Sequence, residues 1–342
     1  MTAEEFDSIW KILEDSSANE CVDGIIIRRV SPDIPHDIFL GFEIPSNRRM
    51  FMIRVNKRNL SEFRQLPAFK GFEITTVSIP EEKNQYVTLG FILSDPVFRD
   101  IFSTLCEDIF ETAIIEKTQE IMINSVKNRL LMWKQFLESF GIQGLSSEYQ
   151  RGLFGELRFL RDMLMPAVGI EKAIHAWKGP SKSNQDFQIS GIGIEVKTSI
   201  AKQHQKIPIA SEQQLDDSGL KELYIYHLSI REINEQGETL PGIINHIREL
   251  IFSQNGPIHE FETQLFKAGY LDKHREKYQK KGYVDRDDHF FRVNDRFPRI
   301  IEDDLKSGVG DVHYTLDVSA CMPFSVHREE FFSDLKRSAN GQ

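Results

Sequence analysis

The chain has 342 residues, 40% hydrophobic and 27% charged, which is enough apolar material for two domains or one large elaborated one and excludes wholesale disorder. Its 52 acidic residues outnumber 42 basic ones for a net charge of −10, so charge alone argues against a nucleic-acid partner, whose phosphates need Lys and Arg. No apolar run approaches the roughly 18 residues that cross a bilayer, and the acidic N-terminus is no signal peptide; with three scattered cysteines and no CxxC, the expectation is a cytoplasmic protein with no membrane partner, disulfide framework or Cys-based zinc site.

Residues 1–95 read as a β-rich N-terminal region. Residues 1–23 carry seven Asp or Glu against one Lys. Short β-branched and aromatic runs follow at 24–30, 38–44, 50–55, 72–79 and 86–93, with turn formers such as Pro45-Ser46-Asn47 between them. Pro96 suits a first helical position, and 96–145 reads as a helical connector that ends in a Gly141-Ile-Gln-Gly linker. Over 146–255 the pattern is helix, hairpin, strand, helix: a helix from near Ser147 to Pro166, strands near 185–189, 192–200 and 222–230, and a helix at 241–253. Residues 256–342 read as an extension packed on that core, with a charged helix at 259–279 and a β-like segment at 312–318. The fold class is mixed α/β, of the α+β kind.

The hairpin carries the chemistry. Ser190-Gly191 makes a two-residue loop between alternating apolar and polar residues. Pairing about it sets Ile189 against Ile192, Phe187 against Ile194 and Asp186 against Glu195. Phe187, Ile189, Ile194 and Val196 then face the core, and Asp186, Glu195 and Lys197 face the other way. Opposed residues stand about 5 Å apart, where like charges repel. Water on an exposed face would make the pair tolerable; a divalent cation held by both carboxylates would remove the penalty, and oxygen ligands suit Mg²⁺ or Mn²⁺. Lys197 would lie beside that cation, placed to position or deprotonate a water or to stabilise charge on a phosphate oxygen.

In the helix before the hairpin, Tyr149, Leu153, Leu157, Leu160 and Leu164 form an apolar stripe, and Glu156 falls inside it. A carboxylate there needs a hydrogen bond or a metal. Gly152 and Gly155 flank it and would let helix and sheet approach closely.

Asp186-x8-Glu195-Val196-Lys197, with Glu156 on the preceding helix, resembles the PD-(D/E)XK nuclease superfamily, whose fold is restriction-endonuclease-like. The wider chain is similar to a bacterial group known as PD-(D/E)XK motif proteins, of unknown function. That similarity runs through Gly152-Leu-Phe-Gly-Glu-Leu157, Trp177-Lys-Gly-Pro180, Glu195-Val-Lys-Thr-Ser199, Ile209-Ala-Ser-Glu-Gln-Gln-Leu215 and Phe297-Pro-Arg-Ile300. The resemblance implies that Asp186, Glu195 and the Val196 carbonyl bind the metal. It also implies that Lys197 assists the attacking water and that Glu156 serves as an outer or second-metal carboxylate. The implied reaction is metal-dependent hydrolysis of DNA by an endonuclease, in bacterial restriction or phage defence beside partner proteins. One site per chain would favour a homodimer for a double-strand cut. Gln185 replaces the Pro of the motif's name, which is not a ligand. Some members use a Gln followed by a Tyr after the strand; Gln213-Gln214-Leu215 lacks the Tyr.

Lys178, Lys182, Lys202 and Lys206 bracket the hairpin and would grip a DNA backbone, with Gln213 and Gln214 beside them. His175 and His204 flank it, and Trp177 reads as a core or rim aromatic. No P-loop, nucleophile elbow or histidine metal motif is present. The competing function is a catalytically silent DNA- or protein-binding subunit of a multi-component defence complex, which the negative charge favours and an intact Asp186, Glu195 and Lys197 disfavour.

Overall fold

A computed structural model of the chain describes residues 1–17, 24–62, 66, 68–79, 85–181 and 183–339. The chain divides into two units, Met1–Ile142 and Gln143–Gln342. The first contains helix α1 (Ala3–Ser17), strands β1 (Gly24–Arg29), β2 (Ile38–Ile44), β3 (Arg48–Asn56), β4 (Phe72–Val77) and β5 (Tyr86–Leu93), and helices α2 (Arg99–Ile115) and α3 (Gln119–Phe140). Its five strands form one antiparallel sheet in the order β1-β2-β3-β5-β4.

The five strands match the sequence expectation closely. The opening helix does not. Phe6, Trp10 and Leu13 recur at helical spacing and are all buried, and the Trp10 indole donates to the Met50 carbonyl at 3.1 Å. The acidic residues between them hide this stripe. Two of them are used: buried Arg49 pairs with Asp7 at 2.6 Å and with Glu14 at 2.7 Å. Helix α2 packs Phe102 on Trp10 and Phe72, so α2 and α3 belong to the first unit and do not form a connector of their own.

The second unit contains α4 (Ser147–Phe159), α5 (Met165–Val168), α6 (Ile170–Ala176), β6 (Phe187–Ile189), β7 (Ile192–Ser199), β8 (Lys206–Ile209), β9 (Glu222–Asn234), β10 (Glu238–Thr239), α7 (Leu240–Ser253), α8 (Ile258–Lys267), α9 (Arg275–Tyr278), β11 (Lys281–Val293), β12 (Tyr314–Asp317), α10 (Val318–Cys321), β13 (Ser325–Val326) and α11 (Arg328–Ala339). The main sheet runs β10-β11-β9-β7-β6, with β13 on β11 and a separate β8–β12 pair. Strands β7 and β9 are parallel and their neighbours antiparallel. The whole is mixed α/β, as expected.

Residues 256–342 are not an extension laid on a finished core, because β11 pairs with β9 over its full length and is a central strand. Its exposed middle, Asp285-Arg286-Asp287, where a bulge interrupts the register, conceals a strand in the sequence. The charged helix expected at 259–279 ends early. Gly269 at φ +86° closes α8, with Tyr270 N–H donating to the Leu265 carbonyl and Gly269 N–H to that of Phe266. Among the described residues no helix is long and apolar enough to cross a membrane.

Candidate active site

The loop residues Ser190 and Gly191 both have positive φ, +52° and +87°, which matches the twist of a tight hairpin. The pairing is the expected one: Phe187 with Ile194, Gln188 with Gly193, Ile189 with Ile192. The ladder then stops one residue short of Asp186. The Asp186 carbonyl accepts from the amides of Lys178 (2.7 Å) and Gly179 (2.9 Å), and its Oδ2 accepts from Val196 N at 2.8 Å. Asp186 therefore reaches β7 through its side chain and holds the strand as a ladder residue would.

The polar face of β7 is not open. Strand β8 and the turn at 212–215 lie over it: Ile207, Ile209 and Leu215 pack with Leu223 and Ile225, the β9 residues beside Gly193 and Glu195, and Gln214 bonds both Glu195 and Lys197, so the Glu195 side chain is only 2% exposed and that of Lys197 13%. Helix α4 packs on the opposite, apolar face of β7, and Gly155 permits its approach: a Cβ there would stand 1.9 Å from Thr198 Oγ1 and 3.6 Å from Val196 Cγ1. Gly152 has no such role, since nothing lies within 4 Å of a Cβ on it, and Tyr149 faces outward at 61% exposure instead of joining the apolar stripe. Glu156 does turn toward the sheet. A Cβ on Gly179 would sit 2.7 Å from Asp186 Oδ1 and 3.1 Å from Glu156 Oε2, so the two carboxylates converge on that glycine.

Each carboxylate is half committed. Glu156 Oε2 accepts from the Trp177 indole at 2.7 Å. Glu195 Oε1 accepts from Lys197 Nζ at 2.8 Å and Gln214 Nε2 at 2.7 Å. Glu195 Oε2 is buried without a hydrogen-bond partner. Burial pushes Glu156 up to about 7, opposed by the Trp177 hydrogen bond and reinforced by Glu195. Burial, then Glu195 and Glu156, hold Asp186 well above the usual carboxylate range. Glu195 is raised by burial, against the pull of Lys197. Burial works against the Lys197 ammonium, but Glu195 and Asp186 outweigh it and keep its pKa above the ordinary value. Of the roles open to Lys197, taking a proton from water is the one this environment disfavours.

The other expected residues separate into two groups. Lys206, His204 and Gln214 line a cleft of about 540 Å³ with Asp186, Glu195 and Lys197. Lys178, Lys202 and Gln213 are not among its lining residues, and Lys202 and Gln213 are exposed. Lys182 lies outside the described residues. His175 points elsewhere, toward Glu260 at 3.2 Å. Three contributions were missed in the sequence. Arg151 lines the cleft from α4, five residues before Glu156. Trp177 is fully buried but uses its N–H on Glu156. Gln214 bridges both charged groups of β7: Oε1 accepts from Lys197 Nζ at 3.1 Å and Ala210 N at 2.8 Å while Nε2 serves Glu195.

A buried carboxylate oxygen with no donor is costly, and a hard cation is what satisfies it. Among the described residues no set of three or more His, Cys, Asp or Glu side chains is arranged to hold an ion by itself. A cation here would draw on Asp186, Glu195, the Val196 carbonyl and water, as Mg²⁺ commonly does.

A family model described as "Putative PD-(D/E)XK family member, (DUF4420)" matches residues 6–319, most of both units. No curated protein and no solved structure matches the chain.

Proposed function

The chain belongs to this PD-(D/E)XK family, and from that premise we propose that it is a divalent-metal-dependent endonuclease that hydrolyses phosphodiester bonds of DNA. The observation that carries the reading is the half-committed carboxylate set, above all the partnerless Glu195 Oε2 in a cluster where one lysine faces three acids. Asp186, Glu195 and the Val196 carbonyl would hold Mg²⁺ or Mn²⁺, and Glu156 would complete the anionic wall. The cation would supply Lewis-acid polarisation of the phosphate and a lowered pKa for its bound water.

The residues of the chain do the rest. Lys197 remains an ammonium and offers its N–H groups to a phosphate oxygen or to the attacking water, stabilising charge as it develops. Lys206 and His204 line the same cleft and supply positive or donor groups for the phosphate backbone. Glu156, raised to about 7 and so about half ionised at pH 7, can lose or gain a proton as the site loads. The reading extends to bacterial restriction or phage defence, and to a second copy of the chain for a double-strand cut, on the sequence resemblance alone.

The test is nicking of supercoiled DNA by the full chain with Mg²⁺ or Mn²⁺, with Asp186→Ala and Lys197→Ala as controls. Metal-dependent nicking that falls at least about 100-fold in both variants is expected. Wild-type protein that binds no Mn²⁺ by calorimetry would overturn the reading.

A further inference from the structure

The turn that carries Gln214 has little to hold it by itself. Residues Glu212–Leu215 form a single 3₁₀ turn, with long internal bonds of 3.2 Å (Gln214 N to the Ser211 carbonyl) and 3.3 Å (Asp216 N to that of Gln213). Its position is set from outside. The Gln185 amide, 2% exposed, reaches the carbonyls of Gln213 and Gln214 at 3.4 Å and of Asp216 at 3.3 Å, while its Oε1 accepts from Gln188 at 2.8 Å. Arg299, from the Phe297-Pro-Arg-Ile stretch, donates to the Leu215 carbonyl at 2.7 Å and pairs with Asp217 at 3.1 Å, its side chain 7% exposed. Glu212 accepts from Val312 N at 2.9 Å. Leu215 is buried with Ile207, Ile209 and Phe297.

We propose that Gln185 and Arg299 are positioning residues, which fix the 212–216 turn so that the Gln214 amide holds the Glu195 carboxylate and the Lys197 ammonium in their working orientation. Gln185 thus has a use of its own at the place where the motif's name has Pro, and a segment 100 residues downstream in sequence becomes part of the active centre. Gln214 Nε2 occupies Glu195 Oε1 and leaves Oε2 for a ligand. If the turn loosens, the amide withdraws, the carboxylate rotates, and the oxygen presented to a cation changes. Supporting contacts around metal-binding carboxylates typically matter by about 10- to 100-fold in affinity.

The inference rests on the metal-nuclease reading, and its test separates the two. Mn²⁺ titration calorimetry would compare the full-length wild type with Gln185→Leu, Arg299→Met, Gln214→Ala and the double variant Gln185→Leu/Gln214→Ala. Thermal melts would confirm folding, and Gln185→Leu, which keeps volume, carries the test if Arg299→Met does not fold. We expect each of Gln185→Leu and Arg299→Met to weaken Mn²⁺ about tenfold, Gln214→Ala at least as much, and the double variant no more than Gln214→Ala alone. Arg299→Lys should restore part of the loss. Wild type that binds Mn²⁺ while folded Gln185→Leu binds it equally well would overturn the positioning role and spare the nuclease reading. So would losses that multiply in the double variant. Wild type that binds no Mn²⁺ would overturn both.

Discussion

Helix α4 and the π-helical turn that continues it at Leu160–Leu164 serve two clusters of charge, one half-buried and one buried, and the two are built on opposite rules. On one side, Arg158 and Arg161 meet Asp162, Glu238 and Asp285. Arg161 is 7% exposed and donates to Asp162 at 2.7 Å and to both oxygens of Glu238; Arg158 reaches Glu238 at 3.1 Å, Asp285 at 2.8 Å and Asp162 at 2.9 Å. Every carboxylate there touches a guanidinium. On the other side, Glu156, Asp186 and Glu195 share Lys197, which ion-pairs with Glu195, and one oxygen of Glu195 has no partner. Charge held for structure is saturated with forked donors; charge buried for chemistry is left short of cations. The shortage marks the place where an ion and a phosphate would be taken up.

The largest effect should come from breaking the saturated cluster. Arg161→Met removes the buried guanidinium that two half-buried carboxylates share, and urea unfolding should show a loss of about 3 kcal/mol, limited by the contacts Arg158 keeps. A loss under about 1 kcal/mol would mean that the two clusters do not differ as described.

The opposite sign is expected in the site. In the metal-free protein Glu156 titrates at about 7 against an ordinary value of 4.5. The folded chain therefore binds the proton more tightly than the unfolded one. This contribution to stability is complete below pH 4.5 and is lost as pH rises through about 7. Asp186 and Glu195, also raised, act in the same direction. Glu156→Gln should leave stability near pH 4 unchanged and raise it at pH 7.5 by up to about 3 kcal/mol, measured by urea unfolding without divalent metal. Saturating Mn²⁺ should shrink that gain, because the cation would stabilise the wild-type carboxylates. A variant less stable than wild type at pH 7.5 would place Glu156 with the structural charges.

Much of this contrast is legible in the sequence, and its gaps have physical causes. The Asp186–Glu195–Lys197 constellation and the hairpin register follow from a two-residue loop and a period of two. Glu156 follows from a period of 3.6. Strand β11 was missed because Asp285 to Asp288 break the apolar alternation, and α1 because acidic residues interrupt its Phe6-Trp10-Leu13 stripe. The burial of Glu195 and Lys197 was invisible because it comes from β8 and the 212–215 turn lying over one face of β7, while α4 packs on the other, an approach that Gly155 permits and Gly152 does not need. Gln214 was expected beside the DNA-gripping lysines, but its hold on Glu195 and Lys197, and any part for Arg299, could not be read, since a short turn and a loop distant in sequence are brought to the site only by tertiary contacts. The Trp177-Lys178-Gly179 run was conspicuous, but its function needs coordinates: an indole on Glu156, two amides on Asp186, and no Cβ between the carboxylates.

That last feature gives a smaller prediction. In Gly179→Ala the new Cβ would stand 2.7 Å from Asp186 Oδ1, closer than such contacts allow, and 3.1 Å from Glu156 Oε2. The carboxylate ends are flexible and can move, so the fold should survive with a melting temperature near wild type. The oxygens that move are those the cation needs, and Mn²⁺ affinity should fall about 10- to 100-fold by calorimetry. Unchanged affinity would show that Asp186 and Glu156 do not act together.

The smallest effect tests which cluster Glu156 belongs to. The Trp177 N–H is the contact that holds the Glu156 pKa down against burial. Trp177→Phe keeps an aromatic ring beside Phe261 and removes only that donor and part of the ring volume. Glu156 then rises further above about 7, and since a cation binds the ionised form, the pH at half-maximal Mn²⁺ binding should move up by about one pH unit. The melting temperature will also fall through the void left by the smaller ring, but a void has no reason to displace a pH midpoint. A midpoint that stays in place while stability falls would assign both Trp177 and Glu156 to the scaffold, leaving Asp186 and Glu195 to hold the cation alone.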